Sequence, residues 1–183
     1  MILETATIRP ARTSDARGIA RVEVETWRDA YPTLVPRAYL VGRLDERLGA
    51  ERWRRRIAGG DEAIIVAAAA GAGNGIVGYA TWGPTRLACP VPSSQLYELY
   101  VAPAARERGI GRRLMREAAA RMLAAGMAAM VVEVLEGNPS RWFYEAQGGR
   151  LAARSHHAFA GNSLPTVVYA WDDLKALVGA EAE

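Results

Sequence analysis

The sequence predicts a single α/β domain built on a mixed, mostly antiparallel central sheet. Three observations carry that expectation. Short apolar runs of strand length alternate with longer stretches of helical period, in the order strand, helix, helix, three strands, helix, strand, helix, two strands. Two neighbouring strand runs are joined by a Gly-rich turn containing Asn74-Gly75, which signals a hairpin. No repeat, low-complexity segment or linker interrupts the 183 residues, a length sufficient for a sizeable core.

Residues 6 to 11, ATIRPA, form the first strand candidate. Thr13, Ser14 and Asp15 offer N-caps to ARGIARVEVETWRDAY, where Ile19, Val22 and the residues from Val24 to Trp27 suit a helix until Pro32 and Pro36 break it. Residues 45 to 58, DERLGAERWRRRIA, read as a second amphipathic helix ended by Gly59-Gly60. EAIIVAAAA and GIVGYATW make the hairpin, CPVPSS a loop, and QLYELYV the third strand of an antiparallel meander. Leu114, Met115, Ala118, Met122 and Leu123 share one face of a helix over residues 111 to 125, with arginines opposite and Gly126 as its stop. AAMVVEVL is apolar enough for a central strand. Asn138 and Pro139 open a short helix through Gln147, with Asn as N-cap and Pro in the first turn, and Gly148-Gly149 end it. RLAARSHHAF and LPTVVYAW are a final strand pair. The domain is expected to span residues 1–171, and DDLKALVGAEAE, residues 172–183, is a terminal helix or tail.

Half of the residues are hydrophobic and 23% charged, the balance of an ordinary soluble globular protein. A single cysteine, Cys89, excludes a disulfide framework and a multi-cysteine metal site. No run approaches the roughly 18–20 apolar residues that span a bilayer. The N-terminal MILETATIRPARTSD carries Glu4 and lacks an apolar signal-peptide core, so a cytoplasmic protein without a membrane partner is expected. The net charge is only +3, and Lys175 is the single lysine among the basic residues. A nucleic-acid binder would concentrate such charge on one face with aromatics interleaved. The Arg52, Arg54, Arg55 and Arg56 cluster reads as the solvated face of a helix instead, and no nucleic-acid partner is expected. His156 and His157 are adjacent, so a strand sends them to opposite faces; a two-histidine metal site lacks support, and a surface position is expected over one in which a ring reaches a groove.

The most informative stretch is RERGIGRRL, residues 106 to 114, directly behind a strand and at the start of a helix. A Walker loop needs a Gly-Lys-Ser/Thr that is absent, and a dinucleotide fingerprint needs a small residue where Leu114 stands. The pyrophosphate loop of acetyl-CoA-dependent acyltransferases, Gln/Arg-x-x-Gly-x-Gly/Ala, is matched by Arg106, Gly109 and Gly111. Small residues let the backbone close on a pyrophosphate, and first-turn N–H groups point at it. Arg106, Arg108, Arg112 and Arg113 add charge for a 3′-phosphate. A glycine-bearing turn with solvated arginines reads the same way on this motif alone.

A second motif separates the two. VVEVLEGNPSRWFYEAQGG resembles the second signature of the GNAT acetyltransferase superfamily, through Asn138, Phe143, Tyr144, Glu145 and Gly148. The resemblance extends in element order over about residues 6 to 171, and it sharpens the fold class to a GNAT fold, with six to seven strands, four helices and a splayed parallel pair, LYELYV and AMVVEVL. It implies an N-acetyltransferase with acetyl-CoA as co-substrate, held by Leu99, Tyr100, Val101, Arg106, Arg108, Gly109, Ile110, Gly111, Arg112, Asn138 and Tyr144. Tyr144 would protonate the leaving thiolate; Asn138 would touch the cofactor, cap its helix, or both.

Where many relatives carry a strand acid, this chain has Gln95, leaving Glu98 and Glu133 as candidate bases. Glu98 faces away from Gln95 unless a bulge intervenes; an ion pair with an arginine would explain Glu133 as well. Trp27 and Tyr31, with Tyr39, Glu25 and Asp29 nearby, are candidates for holding a cationic amine or for anchoring the first helix. That segment resembles bacterial relatives close to the polyamine acetyltransferases, which implies a small-molecule amine acceptor. A protein or peptide N-terminus and a non-catalytic acyl-CoA-binding module are the alternatives. The resemblance also implies a homodimer paired through sheet edges or C-terminal strands.

Overall fold

The computed structural model describes residues 6–35, 44–69, 75–87, 94–159 and 162–179; Pro36, Tyr39, Asn74, Cys89 and all of CPVPSS but its last residue lie outside them. Seven strands form one sheet in the order β1-β2-β3-β4-β5-β7-β6: β1 Thr7–Pro10, β2 Ala63–Ala68, β3 Ile76–Pro84, β4 Ser94–Val101, β5 Met130–Leu135, β6 Arg150–Phe159 and β7 Asn162–Trp171. All neighbours are antiparallel except β4 and β5, as the sequence predicts. Five helices are present among the described residues: α1 Ala16–Ala30, α2 Glu46–Gly59, α3 Ile110–Ala124, α4 Arg141–Ala146 and α5 Leu174–Gly179. None is long and apolar enough to cross a membrane among those residues.

The helices cover both faces of the sheet. Tyr79 on β3 meets the Trp53 ring of α2 edge-on at 4.9 Å, while its neighbour Gly78 abuts Leu114 of α3. Consecutive strand residues point to opposite faces, so α2 and α3 lie on opposite sides. Ile19, Trp53, Tyr79, Leu96, Leu114, Met115, Met122 and Met130 are among the fully buried side chains of this core. The terminal segment adds to it, because α5 buries Leu174 and Leu177 in the same cluster.

Local chemistry explains both ends of α2. The Asp45 carboxylate accepts from the N–H groups of Arg47 and Leu48 at 2.9 and 3.0 Å, and Gly60 closes α2 in the left-handed region at φ 71°. Two expected caps are built differently. Asp15 ends a 3-10 turn, Thr13–Asp15, and its carboxylate binds the Arg9 guanidinium at 2.7 and 2.9 Å and the Arg12 N–H at 2.8 Å. The short helix begins at Arg141 rather than at Asn138, because the Asn138 side chain accepts from the Ser140 N–H at 2.8 Å and closes a turn of its own.

The parallel pair parts early. Ser94, Gln95 and Leu96 pair with Met130, Val131 and Val132, and the ladder stops there. At the same place β4 carries a bulge: Leu96 faces Trp82 and Glu98 faces Thr81, so Tyr97 is the extra residue. The bulge reverses the alternation. Ser94, whose hydroxyl reaches Met122 of α3, and Glu98, which reaches Arg56 of α2, lie on opposite faces although they are four residues apart.

Candidate active site

A cavity of about 760 Å³ occupies the gap where β4 and β5 part. Leu99, Tyr100 and Val101 line it from β4, and Val132, Glu133, Val134 and Leu135 from β5. At its mouth the chain leaves β4 through a 3-10 turn and takes two left-handed steps, at Glu107 with φ 60° and Gly109 with φ 71°, before α3 begins. The α3 ladder starts with Arg113 N–H on the Gly109 carbonyl at 3.0 Å, which leaves the earlier N–H groups of the turn outside it. Gly109, Ile110, Gly111 and Arg112 all line the cavity. A Cβ on Gly111 would lie 3.5 Å from the Phe143 ring and 3.7 Å from Val101, in ordinary contact.

The arginines divide. Arg106 lines the cavity, pairs with Asp29 of α1, and donates to the Val101 carbonyl at 3.3 Å, tying the loop to both neighbours. Arg112 lines it too. Arg108 is exposed and does not line the cavity, and Arg113 turns away to the Ala6 carbonyl at 2.7 Å. Of the four expected phosphate-side cations, two therefore face the cleft.

Tyr144 projects from α4 into the cavity with 7% of its surface exposed. It stacks on Tyr169 at 6.3 Å and meets Phe143 and Trp171 edge-on. Burial, with the Tyr31 hydroxyl as a second cause, pushes its phenol well above the usual tyrosine range, so it stays protonated. Asn138 is buried and lines the cavity, but its side chain closes a turn at Ser140 and does not cap the helix, whose N-cap is Ser140.

On the α1 side of the sheet, Trp27 and Tyr31 stack with centroids 4.3 Å apart and bound the cavity together with Leu135. The Tyr31 and Tyr100 hydroxyls lie 3.3 Å apart. Glu25 and Asp29, expected near these rings, are engaged by Arg21 and Arg106.

Gln95 and Glu98 both line the cavity, so the bulge brings Glu98 to the face of Gln95. Gln95 holds the chain after β3 through its carbonyl oxygen on the Arg86 N–H at 2.8 Å. Both Glu98 oxygens sit on the Arg56 guanidinium, at 3.2 and 3.0 Å, and Arg56 also binds Glu62. Burial pushes the Glu98 carboxyl above its ordinary range, and Arg56 opposes that.

Among the described residues, Glu133 pairs with a histidine. One carboxylate oxygen accepts from the Thr166 hydroxyl at 2.8 Å, and the other lies 3.2 Å from Nδ1 of His157. The sequence reading does not assemble these three residues. Its only signal is parity: β7 places Val168 opposite Glu133 and Thr166 opposite Ser155, so Glu133, Thr166 and His157 share a face.

Strands that part beside a helix N-terminus, with a buried tyrosine reaching the gap, form the arrangement expected of an acyl-CoA-dependent acyltransferase fold. Residues 60–148 match the acetyltransferase (GNAT) domain family. The uncharacterized N-acetyltransferase YuaI of Bacillus subtilis (strain 168) is 32% identical over 171 residues, 93% of this chain and 95% of that protein. A GCN5-related N-acetyltransferase from Rhodopseudomonas palustris superposes with a TM-score of 0.69 at 19% identity, covering 93% of this chain and 97% of that one. The yncA protein of Salmonella typhimurium, solved with its cofactor acetyl-CoA, gives 0.64 at 20% identity over 92% and 93%. The chain belongs to the GNAT family of acetyl-CoA-dependent N-acetyltransferases.

Proposed function

We propose that the chain transfers an acetyl group from acetyl-CoA directly to the primary amine of a small molecule, with residues 1–171 as the acyltransferase domain. The observation that carries the reading is the gap between β4 and β5, open on one side to the α3 N-terminus and reached by Tyr144. The pyrophosphate would rest on the backbone of Gly109 to Arg112, with Arg106 and Arg112 supplying charge. The pantetheine arm would lie along Leu99, Tyr100 and Val101, whose backbone groups on the open side have lost β5 as a partner. Such groups aimed at the thioester oxygen stabilise the charge it gains on attack. Tyr144 would give its proton to the departing thiolate.

The acceptor would enter from the α1 side, where Trp27 and Tyr31 close one end and Glu98 and Glu133 give the wall a negative character. An aromatic pair beside carboxylates suits a small cationic amine, and this favours it over a protein N-terminus. Glu98, with both oxygens on Arg56, is poorly placed to take the proton of an ammonium.

Calorimetric titration with acetyl-CoA, with NADH and ATP as controls, tests the donor. Saturable one-to-one binding of acetyl-CoA alone is expected; its absence in a folded protein would sink the reading. Thiol release with a panel of amines and with N-terminal peptides then separates the acceptors. Turnover of peptides in preference to amines would overturn the small-molecule assignment. A non-catalytic binding module would bind acetyl-CoA and be indifferent to Tyr144→Phe.

A further inference from the structure

An acceptor ammonium must lose a proton before it can attack, and the wall of the cavity on the α1 side carries a group built for that. We propose that the imidazole of His157 takes this proton, with Glu133 and Thr166 holding the ring in place; the inference rests on the acetyltransferase reading above.

The three residues come from neighbouring strands, β5, β7 and β6, and all line the cavity. Glu133 is 11% exposed, and a carboxylate so enclosed needs its oxygens satisfied. Thr166 donates to one oxygen at 2.8 Å and fixes the rotamer; the other faces Nδ1 of His157 at 3.2 Å. With Nδ1–H donating to the carboxylate, Nε2 carries the lone pair. The His157 side chain is 51% exposed, within reach of a molecule in the cavity. Glu133 itself is the poorer base, since both its oxygens already accept hydrogen bonds.

The surrounding charges point the same way. Arg154 on the same strand is taken by Glu136, Glu98 by Arg56, and Asp29 by Arg106, and Glu133 is a carboxylate in contact with the ring. The placement also suits direct transfer. Leu135, on the face of Glu133, packs with Trp27 and Tyr31, whereas Tyr144 packs on Tyr169 and Trp171, whose side chains leave β7 on the other face from Thr166 and Val168. A base on one face and an acid on the other bracket a thioester held in the gap.

The protons balance. The ammonium gives its first proton to Nε2, and the amine nitrogen forms the bond to the carbonyl carbon. The carbon–sulfur bond breaks, and the thiolate takes the Tyr144 proton. The second proton of the nitrogen restores the phenol, and the imidazolium releases its own to solvent.

The test is thiol release by the full-length chain with acetyl-CoA and spermidine as the probe, or with water as acceptor if spermidine is not turned over. His157→Gln should lower kcat by about 100-fold or more, within the usual range for a lost acid or base, with calorimetric affinity for acetyl-CoA within about two-fold of the parent. Free imidazole should restore part of the rate to His157→Ala, which a merely structural histidine would not allow. Glu133→Gln, which keeps a hydrogen-bonding partner for the ring but not its charge, should lower kcat with calorimetric affinity for acetyl-CoA within about two-fold of the parent. Rates within about two-fold of the parent for His157→Gln, in a chain that binds acetyl-CoA, overturn this inference alone. A chain that binds no acetyl-CoA overturns the functional reading and this inference with it.

Discussion

Tyr144 and Asp15 are both enclosed, with opposite consequences for their protons. Burial raises the Tyr144 phenol well above its reference value of about 10, so the group remains a proton donor throughout the neutral and mildly alkaline range. Tyr144→Phe is expected to lower kcat about 100-fold while leaving acetyl-CoA affinity nearly unchanged, and the parent should show no loss of kcat from this ionisation up to about pH 10. A decline below that limit that vanishes in the Phe variant would contradict the buried placement. Asp15 goes the other way: hydrogen bonding from Arg9, reinforced by the Arg12 N–H, holds its carboxyl below the ordinary range despite burial. A depressed carboxyl stabilises the fold above its unfolded pKa of about 3.9 and loses that contribution as pH falls through the folded value. Asp15→Asn should cost about 2 kcal/mol at pH 7 by denaturant melts, with the gap to the parent closing in acid. Tyr144 is legible in the sequence because its motif is local, spanning Asn138 to Gly148. The Glu133, Thr166 and His157 contact is not, since it joins three strands whose register depends on a bulge in β6 between Leu151 and Ala153 and on the β6–β7 pairing.

At the level of elements, the phosphate-side turn and the β4 bulge decide what faces the cavity. Hydrophobic period and turn residues suffice to place all seven strands and the long helices, because each depends on residues within a turn or two of one another. The bulge at Tyr97 depends instead on where β4 leaves β5, a long-range condition with no local signature, and it is what turns Glu98 toward Gln95. Asn138 misleads for a related reason: its side chain can cap a turn or a helix, and here it takes the turn. The two glycines at the α3 start should respond differently. Gly109 sits at φ 71°, where a side chain costs about 1–2 kcal/mol, whereas an added Cβ on Gly111 meets only ordinary contacts. Gly109→Ala is therefore expected to lower Tm by roughly 2–8 °C and to weaken acetyl-CoA binding, with Gly111→Ala close to the parent in both. Calorimetry on the two variants checks this, and equal losses would mean that the turn is not held by its left-handed step.

The whole sheet is two antiparallel halves, β1 to β4 and β5 to β6, joined through a short parallel ladder from Ser94 to Leu96. Beyond Leu96 no strand pairing joins the halves among the described residues. A ligand lying along Leu99 to Val101 would act as the missing strand, pairing with backbone that β5 no longer reaches. Binding energy of that kind enters the stability of the fold directly, because the unfolded chain has no such gap. At a ligand concentration of 100 Kd the stabilisation is about 2.7 kcal/mol. For a chain of this size each kcal/mol moves Tm by about 2–4 °C, so saturating acetyl-CoA should raise Tm by roughly 5–10 °C. Amide exchange should slow most at Leu99 to Val101 and in the first turn of α3, and little in β1 or β2, which the cavity does not touch. A rise in Tm with protection spread evenly over the sheet would show the ligand stabilising the domain from outside the gap, and the strand-replacement account would fail.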